Sequence, residues 1–128
     1  MKTQFLFCFI IISSVATAQT YTSSRMITKK STFESQIFSR TITFNKETIV
    51  VSKYLNGMKD DFELKIDKTD EKEYNSENCK WYYCTSVKKD FMQGYTKAIV
   101  VAPIYSKKIY LFDFADEVTI FFSQFSID

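Results

Sequence analysis

The chain is predicted to be all-β: a single antiparallel β-sandwich or flattened β-barrel of about eight strands, with at most one short helix. Three observations carry that prediction. Setting aside the first eighteen residues leaves ten Phe, eight Tyr and Trp81 beside abundant Thr, Ile and Val. Such side chains pack well on a pleated surface. Several stretches alternate apolar and polar residues with period 2. Turn chemistry is sparing, with two Gly and one Pro in 128 residues, and Asn56-Gly57 is the strongest tight-turn signal because both residues tolerate positive φ.

The elements follow from that alternation. Phe38, Ile42 and Phe44 share one face of a strand whose other face carries Ser39, Thr41 and Thr43. Ile49 and Val51 continue the apolar face after a break at Asn45-Lys46, opposite Thr48, Val50 and Ser52. Beyond Asn56-Gly57, Phe62, Leu64 and Ile66 alternate with Glu63, Lys65 and Asp67. Strands near 47–54 and 61–67 are expected to pair as a hairpin. Lys68 to Asn78 is polar and charged, with Tyr74 its one apolar residue, and is predicted to be a long loop. Strands resume at Cys79 to Val87, Tyr95 to Ile104, Lys107 to Phe114 and Glu117 to Phe122. Turns are expected from Lys88-Lys89-Asp90 through Gly94, around Ser106 and at Ala115-Asp116. Ser31 with Glu34 fits a capping box, so a short helix over 32–38 is the one helical alternative.

The N-terminus carries a different message. Lys2 precedes a greasy stretch from Phe5 to Val15, and Ala16-Thr17-Ala18 is a small-x-small site for cleavage before Gln19. The run is too short to span a bilayer, which needs about 20 apolar residues. Cys8 lies inside it, preceded by Leu6-Phe7 rather than small residues, which argues against a lipid-modified cysteine. Residues 1–18 are therefore expected to be a signal peptide and 19–128 a single all-β domain, secreted or periplasmic, with no transmembrane segment in the mature chain.

Charge and composition exclude several functions. Loss of Lys2 with the leader lowers the net charge from +2 to +1. Its lysines fall in scattered pairs (Lys29-Lys30, Lys88-Lys89, Lys107-Lys108), unlike the clustered basic surface that nucleic acid requires. Histidine is absent, which removes the usual general base near neutral pH and the commonest zinc ligand. Neither a G-x-S-x-G elbow nor a phosphate-cradling glycine loop is present. The acidic residues Asp67, Asp70, Glu71, Glu73 and Glu77 lack the spacing and sharp-turn glycine of a calcium loop. No metal, cofactor or catalytic residue is expected.

Two constellations remain. Cys79 and Cys84 are the cysteines left after processing. Along one strand, residues five apart point to opposite faces and lie about 16 Å apart. A disulfide needs Cα atoms within about 7 Å, so the bridge is disfavoured unless the intervening residues bend. Those residues, Lys80-Trp81-Tyr82-Tyr83, form the richest aromatic cluster. Alternation puts Trp81 and Tyr83 on one face and Tyr82 on the other. They are the candidate binding residues, as an exposed platform for a sugar or lipid. The competing expectation, favoured by the area such side chains bury, is that Trp81 and Tyr83 fill the core while Tyr82 covers an adjacent strand.

The leader ending Ala16-Thr17-Ala18-Gln19-Thr20, with Thr41-Ile42-Thr43-Phe44, Thr48-Ile49-Val50-Val51, Glu63-Leu64-Lys65-Ile66, Trp81-Tyr82-Tyr83-Cys84 and Ile109-Tyr110-Leu111, resembles small uncharacterised secreted β proteins of Bacteroidetes. The resemblance spans most of the mature chain and implies export to periplasm or medium, with no activity attached.

The expectation for function is an exported, non-catalytic binding module that engages a protein, glycan or lipid partner through an exposed sheet face or edge. The alternative is a carrier whose strands close around an apolar small molecule, as in lipocalin-like barrels. Third comes a small hydrolase with two carboxylates about 5–10 Å apart across a cleft. A cavity of roughly 300 Å³ or more favours the carrier, whereas a solid aromatic interior favours the module.

Overall fold

A computed structural model describes residues 18–29, 33–55, 57–88, 94–114 and 120–128; for Lys29, residues 33–38 and Leu55 only the backbone is considered. The leader (1–17), Ser31, Asn56, Lys89-Asp90 and Ala115-Asp116 lie outside the described residues. The strands are β1 (Gln19–Lys29), β2 (Phe33–Phe44), β3 (Thr48–Leu55), β4 (Met58–Tyr74), β5 (Glu77–Ser86), β6 (Lys97–Pro103), β7 (Lys108–Phe114) and β8 (Ile120–Ser126). Each pairs antiparallel with the next, and β8 returns to β1, so the sheet closes into an eight-stranded barrel. Of the two architectures the sequence allowed, the barrel is realised.

Closure has local causes. The register slips where Ser23 to Arg25 of β1 faces Arg40 to Ile37 of β2, which uses one residue more, and between Ile66 and Lys68 in β4. An extra residue at such a bulge bends the strand and raises its twist, which lets a sheet turn a corner. Ser23 is buried at the first bulge, and its hydroxyl donates to the Arg25 carbonyl at 2.9 Å. The connections alternate between two ends. Both chain termini of the barrel, Asn45–Glu47, Asn75-Ser76 and Ile104–Lys107 lie at what we call the terminal end; the last residues of β1, β3, β5 and β7 and the first of β2, β4, β6 and β8 mark the distal end.

The alternation foreseen in the sequence sets the interior. Ile42, Ile49 and Leu64 are wholly buried, with Val51, Phe62, Ile66 and Phe44 packed beside them. Val100, Ala98, Cys84, Ile109, Leu111, Met26 and Phe125 complete the packed interior. The β3–β4 hairpin forms as expected, and Gly57 holds φ at +79° in its turn.

Four expectations need correction. First, Lys68 to Asn78 is not a loop: β4 runs to Tyr74 and pairs residue for residue with β5 up to Tyr74↔Glu77. Asn75 and Ser76, at φ 50° and 63°, make a two-residue turn with both central residues left-handed. This stretch passes beyond the start of β3, so it has no interior face to bury. Ladder hydrogen bonds and cross-strand pairs such as Glu71↔Lys80 hold it instead, and period-2 hydrophobicity has nothing to mark. Second, the 32–38 helix is replaced by strand from Phe33, because those residues pair with β1 and tertiary pairing overrides the local capping pattern. Third, Gln19–Lys29 is a full strand that sequence alternation did not reveal; its inward positions are Tyr21, Ser23 and Met26, with the bulge breaking the period. Fourth, β8 extends to Ser126, past the Phe122 limit inferred from the sequence.

A second core lies outside the barrel wall. Cys79, Val101 and Tyr110 are buried there, with Tyr74, Trp81, Ile99, Phe112 and Phe122 packed around them. Tyr74 makes this possible: from the end of the long β4–β5 hairpin its ring sits edge-on 4.9 Å from Tyr110 and 5.9 Å from Phe112. The hairpin tip thus covers the outer face of β6 and β7.

Candidate functional site

The strand alternation sends Tyr82 inward and Trp81 and Tyr83 outward, the split the sequence predicted. The expected filling is inverted with respect to the barrel. Tyr82 packs in the interior, its ring 5.2 Å from Phe44, and desolvation raises its hydroxyl above the ordinary value of 10.0. Trp81 and Tyr83 stack on each other at 6.4 Å on the outer wall. Their faces are not open platforms. Lys72 Nζ sits 4.2 Å from the Trp81 ring centre, and Lys68 Nζ 4.8 Å from that of Tyr83. A sugar ring would have to displace these cations, which are attracted to the ring faces.

Cys79 and Cys84 are free thiols, separated by the barrel wall. Cys79 belongs to the outer core and Cys84 to the interior, where desolvation pushes its thiol up to about 12. A neutral, buried thiol of this kind is a small hydrophobe rather than a nucleophile.

Cavities decide more. One of about 390 Å³ opens on the wall near the β4 bulge, beside Asp67, Lys68, Tyr83 and Lys97. There Thr85 donates to Asp67 at 2.5 Å and Lys97 lies 3.8 Å from the same carboxylate oxygen. A second, about 380 Å³, is a dish at the terminal end. Tyr21, Phe44 and Tyr82 form its floor, with Tyr21 edge-on to Phe44 at 5.8 Å. The β6–β7 turn forms its side, held by Ser106, which donates to the Glu77 carboxylate.

The third cavity, about 480 Å³, lies at the distal end and differs in kind. Its floor is Met26, Val51, Phe62, Leu111 and Phe125, the upper surface of the packed interior. Above that floor, Arg40, Lys53 and Asp60 form one directly paired row across β2, β3 and β4. Arg40 is only 4% exposed, and desolvation lowers its pKa from the ordinary 12.5. Lys53 stands 3.9 Å from Asp60, whose side chain is 60% exposed. Ser123 contributes a hydroxyl. Strand register alone puts these charges here: each occupies the inward position next to an apolar residue on the distal side, Arg40 before Ile42, Lys53 after Val51 and Asp60 before Phe62.

This row was not among the sequence candidates, yet its signal was present. Arg40 lies between Phe38 and Ile42 on the apolar face, Lys53 follows Ile49 and Val51, and Asp60 precedes Phe62 and Leu64. A charge at a core-facing position on three successive strands is a pattern that alternation can reveal. On any one strand such a charge is an ordinary end of the apolar face, and only pairing of the three strands makes it a row.

Among the described residues, each of the three cavities is lined by one acidic side chain: Asp67, Asp128 or Asp60. No described helix is long and apolar enough to cross a membrane. No family model matches the chain, and no curated protein or solved structure matches it.

Proposed function

We propose that this chain is an exported carrier that holds an apolar small molecule in the distal cavity of its barrel. The observation that carries the reading is a space of about 480 Å³ above a floor of five apolar side chains. That volume falls within the usual range of ligand sites, and the mix of apolar lining and few polar groups is their usual chemistry. A closed barrel suits this role because its wall satisfies the backbone without exposing edges, leaving its ends for ligand. The rim supports it too: Tyr54, Met58, Val87, Tyr95, Ile120 and Phe121 are exposed large apolar residues, all at the distal end. Export through a leader cut after Ala18 places the carrier in the periplasm or medium. Cavities paired with single carboxylates offer no support for a carboxylate hydrolase.

The same rim favours a second reading, a module that docks a protein partner there with the cavity empty. Native mass spectrometry of protein purified from its source separates them. A retained small molecule released by organic solvent supports the carrier. A co-purifying polypeptide with no small molecule supports the module and rejects the carrier.

A further inference from the structure

The closed wall has no edge, but the overhang of β4 does. On the β3 side the last partner of β4 is Glu47, whose carbonyl accepts the Ile66 N–H at 2.8 Å. No described strand pairs with that side of β4 beyond Lys65, and Asp67 to Glu73 are all exposed. The direction of the open groups follows from the hairpin. A two-residue turn makes Tyr74 and Glu77 a hydrogen-bonded pair, and bonded and non-bonded pairs then alternate along the ladder. Thr69, Glu71 and Glu73 therefore turn their N–H and C=O groups away from β5. Glu71 agrees with that sense: its N–H donates to the Asp70 carboxylate at 2.8 Å. These alternate donors and acceptors are a template for one more strand.

We propose that a second copy of this chain supplies that strand, the two β4 overhangs pairing antiparallel about a two-fold axis at Glu71. In such a pair each residue meets one from the same face, so the outward Lys68, Asp70 and Lys72 of the two copies oppose one another. With the axis at Glu71, Asp70 of each copy lies opposite Lys72 of the other. The neighbouring registers are worse. Centring on Asp70 sets it against itself and Lys68 against Lys72; centring on Lys72 sets that residue against itself. Centring on Thr69 brings Lys72 of the other copy to Ile66, whose N–H Glu47 already holds. On the opposite face Glu71 meets its own copy, but Lys80 is the cross-strand neighbour of each, so the two carboxylates are flanked by two cations. Asp70 acts as a latch. In the single chain it caps the Glu71 N–H; on pairing, that donor passes to the Glu71 carbonyl of the other copy and the carboxylate turns to Lys72. Charges along an edge oppose indiscriminate pairing, and this self-complementary register is the one they favour. The contact is one short strand, well below the about 1,600 Å² of a standard interface, so the dimer is weak.

The test is independent of the carrier reading. Sedimentation equilibrium of the purified protein is run from about 1 μM to about 1 mM, the range of a weak, short interface. Monomer is expected at the bottom of that range and dimer at the top. Glu71→Pro removes the outward N–H without taking a bond from β5, and is expected to weaken the dimer roughly tenfold or more, with the urea midpoint near native. Asp70→Lys and Lys72→Asp each put like charges opposite one another and are expected to weaken it separately. Combined in one chain they restore opposite charges across the axis, so the double variant is expected to dimerise more tightly than either single one. These exposed charge reversals serve as the test should Glu71→Pro fail to fold. A protein that stays monomeric at about 1 mM overturns the proposal. So does a dimer that neither Glu71→Pro nor the single reversals weaken, which would move the contact to another face such as the distal rim. A double variant no tighter than the single ones overturns the Glu71-centred pairing.

Discussion

The two ends of this barrel are built from the same strands and closed in opposite ways. At the terminal end, inward positions carry Tyr21, Phe44, Tyr82 and Ile127, and Phe44 meets Tyr21 edge to face and Tyr82 at a tilt. At the distal end the equivalent positions of β2, β3 and β4 carry Arg40, Lys53 and Asp60, and the space above the floor stays open. Between them Ile42, Ile49, Leu64 and Val100 are essentially inaccessible. The difference teaches that close packing and open space occupy separate layers of one tube. Aromatics and aliphatics hold one half together, and charges at core-facing positions are tolerated in the other because a cavity adjoins them.

Substitutions along the axis can break or sharpen that contrast. The largest effect is expected in the middle layer and the aromatic end. Leu64→Ala should cost about 2–5 kcal/mol, measured by urea unfolding, as a cavity opens in a fully packed site. Phe44→Ala should cost about 3 kcal/mol, while Lys53→Gln at the other end should cost less than about 1 kcal/mol. Equal losses at the two ends would erase the contrast.

A pH measurement probes the packed layer without changing its volume much. The Cys84 thiol ionises near 9.0 when unfolded and is held up to about 12 in the barrel. The folded state thus keeps a proton that the unfolded state has lost. Stability from this group is complete below pH 9.0 and falls as pH rises towards about 12, with a slope approaching about 1.4 kcal/mol per unit. Comparing the native protein with Cys84→Ala isolates this contribution: the native protein should lose stability faster over that window. A parallel decline would mean that Cys84 is not desolvated. At pH 8, a thiol reagent is expected to label neither cysteine until denaturant is added, since burial raises Cys79 as well.

The smallest expected effect concerns the terminal-end hairpin. Ser76 holds φ at 63°, a conformation costing non-glycine residues about 1 kcal/mol. Ser76→Gly should therefore raise stability by up to about 1 kcal/mol in urea, and a loss would show that its side chain supports the turn. Lys72→Ala, on the same overhang, should alter Trp81 emission by uncovering the ring without disturbing the distal cavity.

Much of this architecture was legible in the chain. Period 2 is a local property, so the inward faces of β2, β3 and β4 could be assigned residue by residue, as could the β3–β4 hairpin. The split of Trp81 and Tyr83 from Tyr82 was legible, but which side faces the interior was not: Tyr82 points in and the other two point out. Failures fell where a strand had no face to bury or its period was interrupted. The overhang from Lys68 to Tyr74 is polar on both sides, and the bulge near Ser23 breaks the pattern in β1.

The amino-acid sequence by itself determined an all-β chain, the in-out sense of most strands and two cysteines that point apart. Tertiary structure decided that the sheet closes, that a hairpin tip builds a second core outside the wall, and that Arg40, Lys53 and Asp60 become one row. The physical reason is the range of each interaction. Side-chain alternation is set by neighbours along the chain, whereas register between strands depends on bulges and pairings that join residues far apart, and it is register that brings three scattered charges to a common rim.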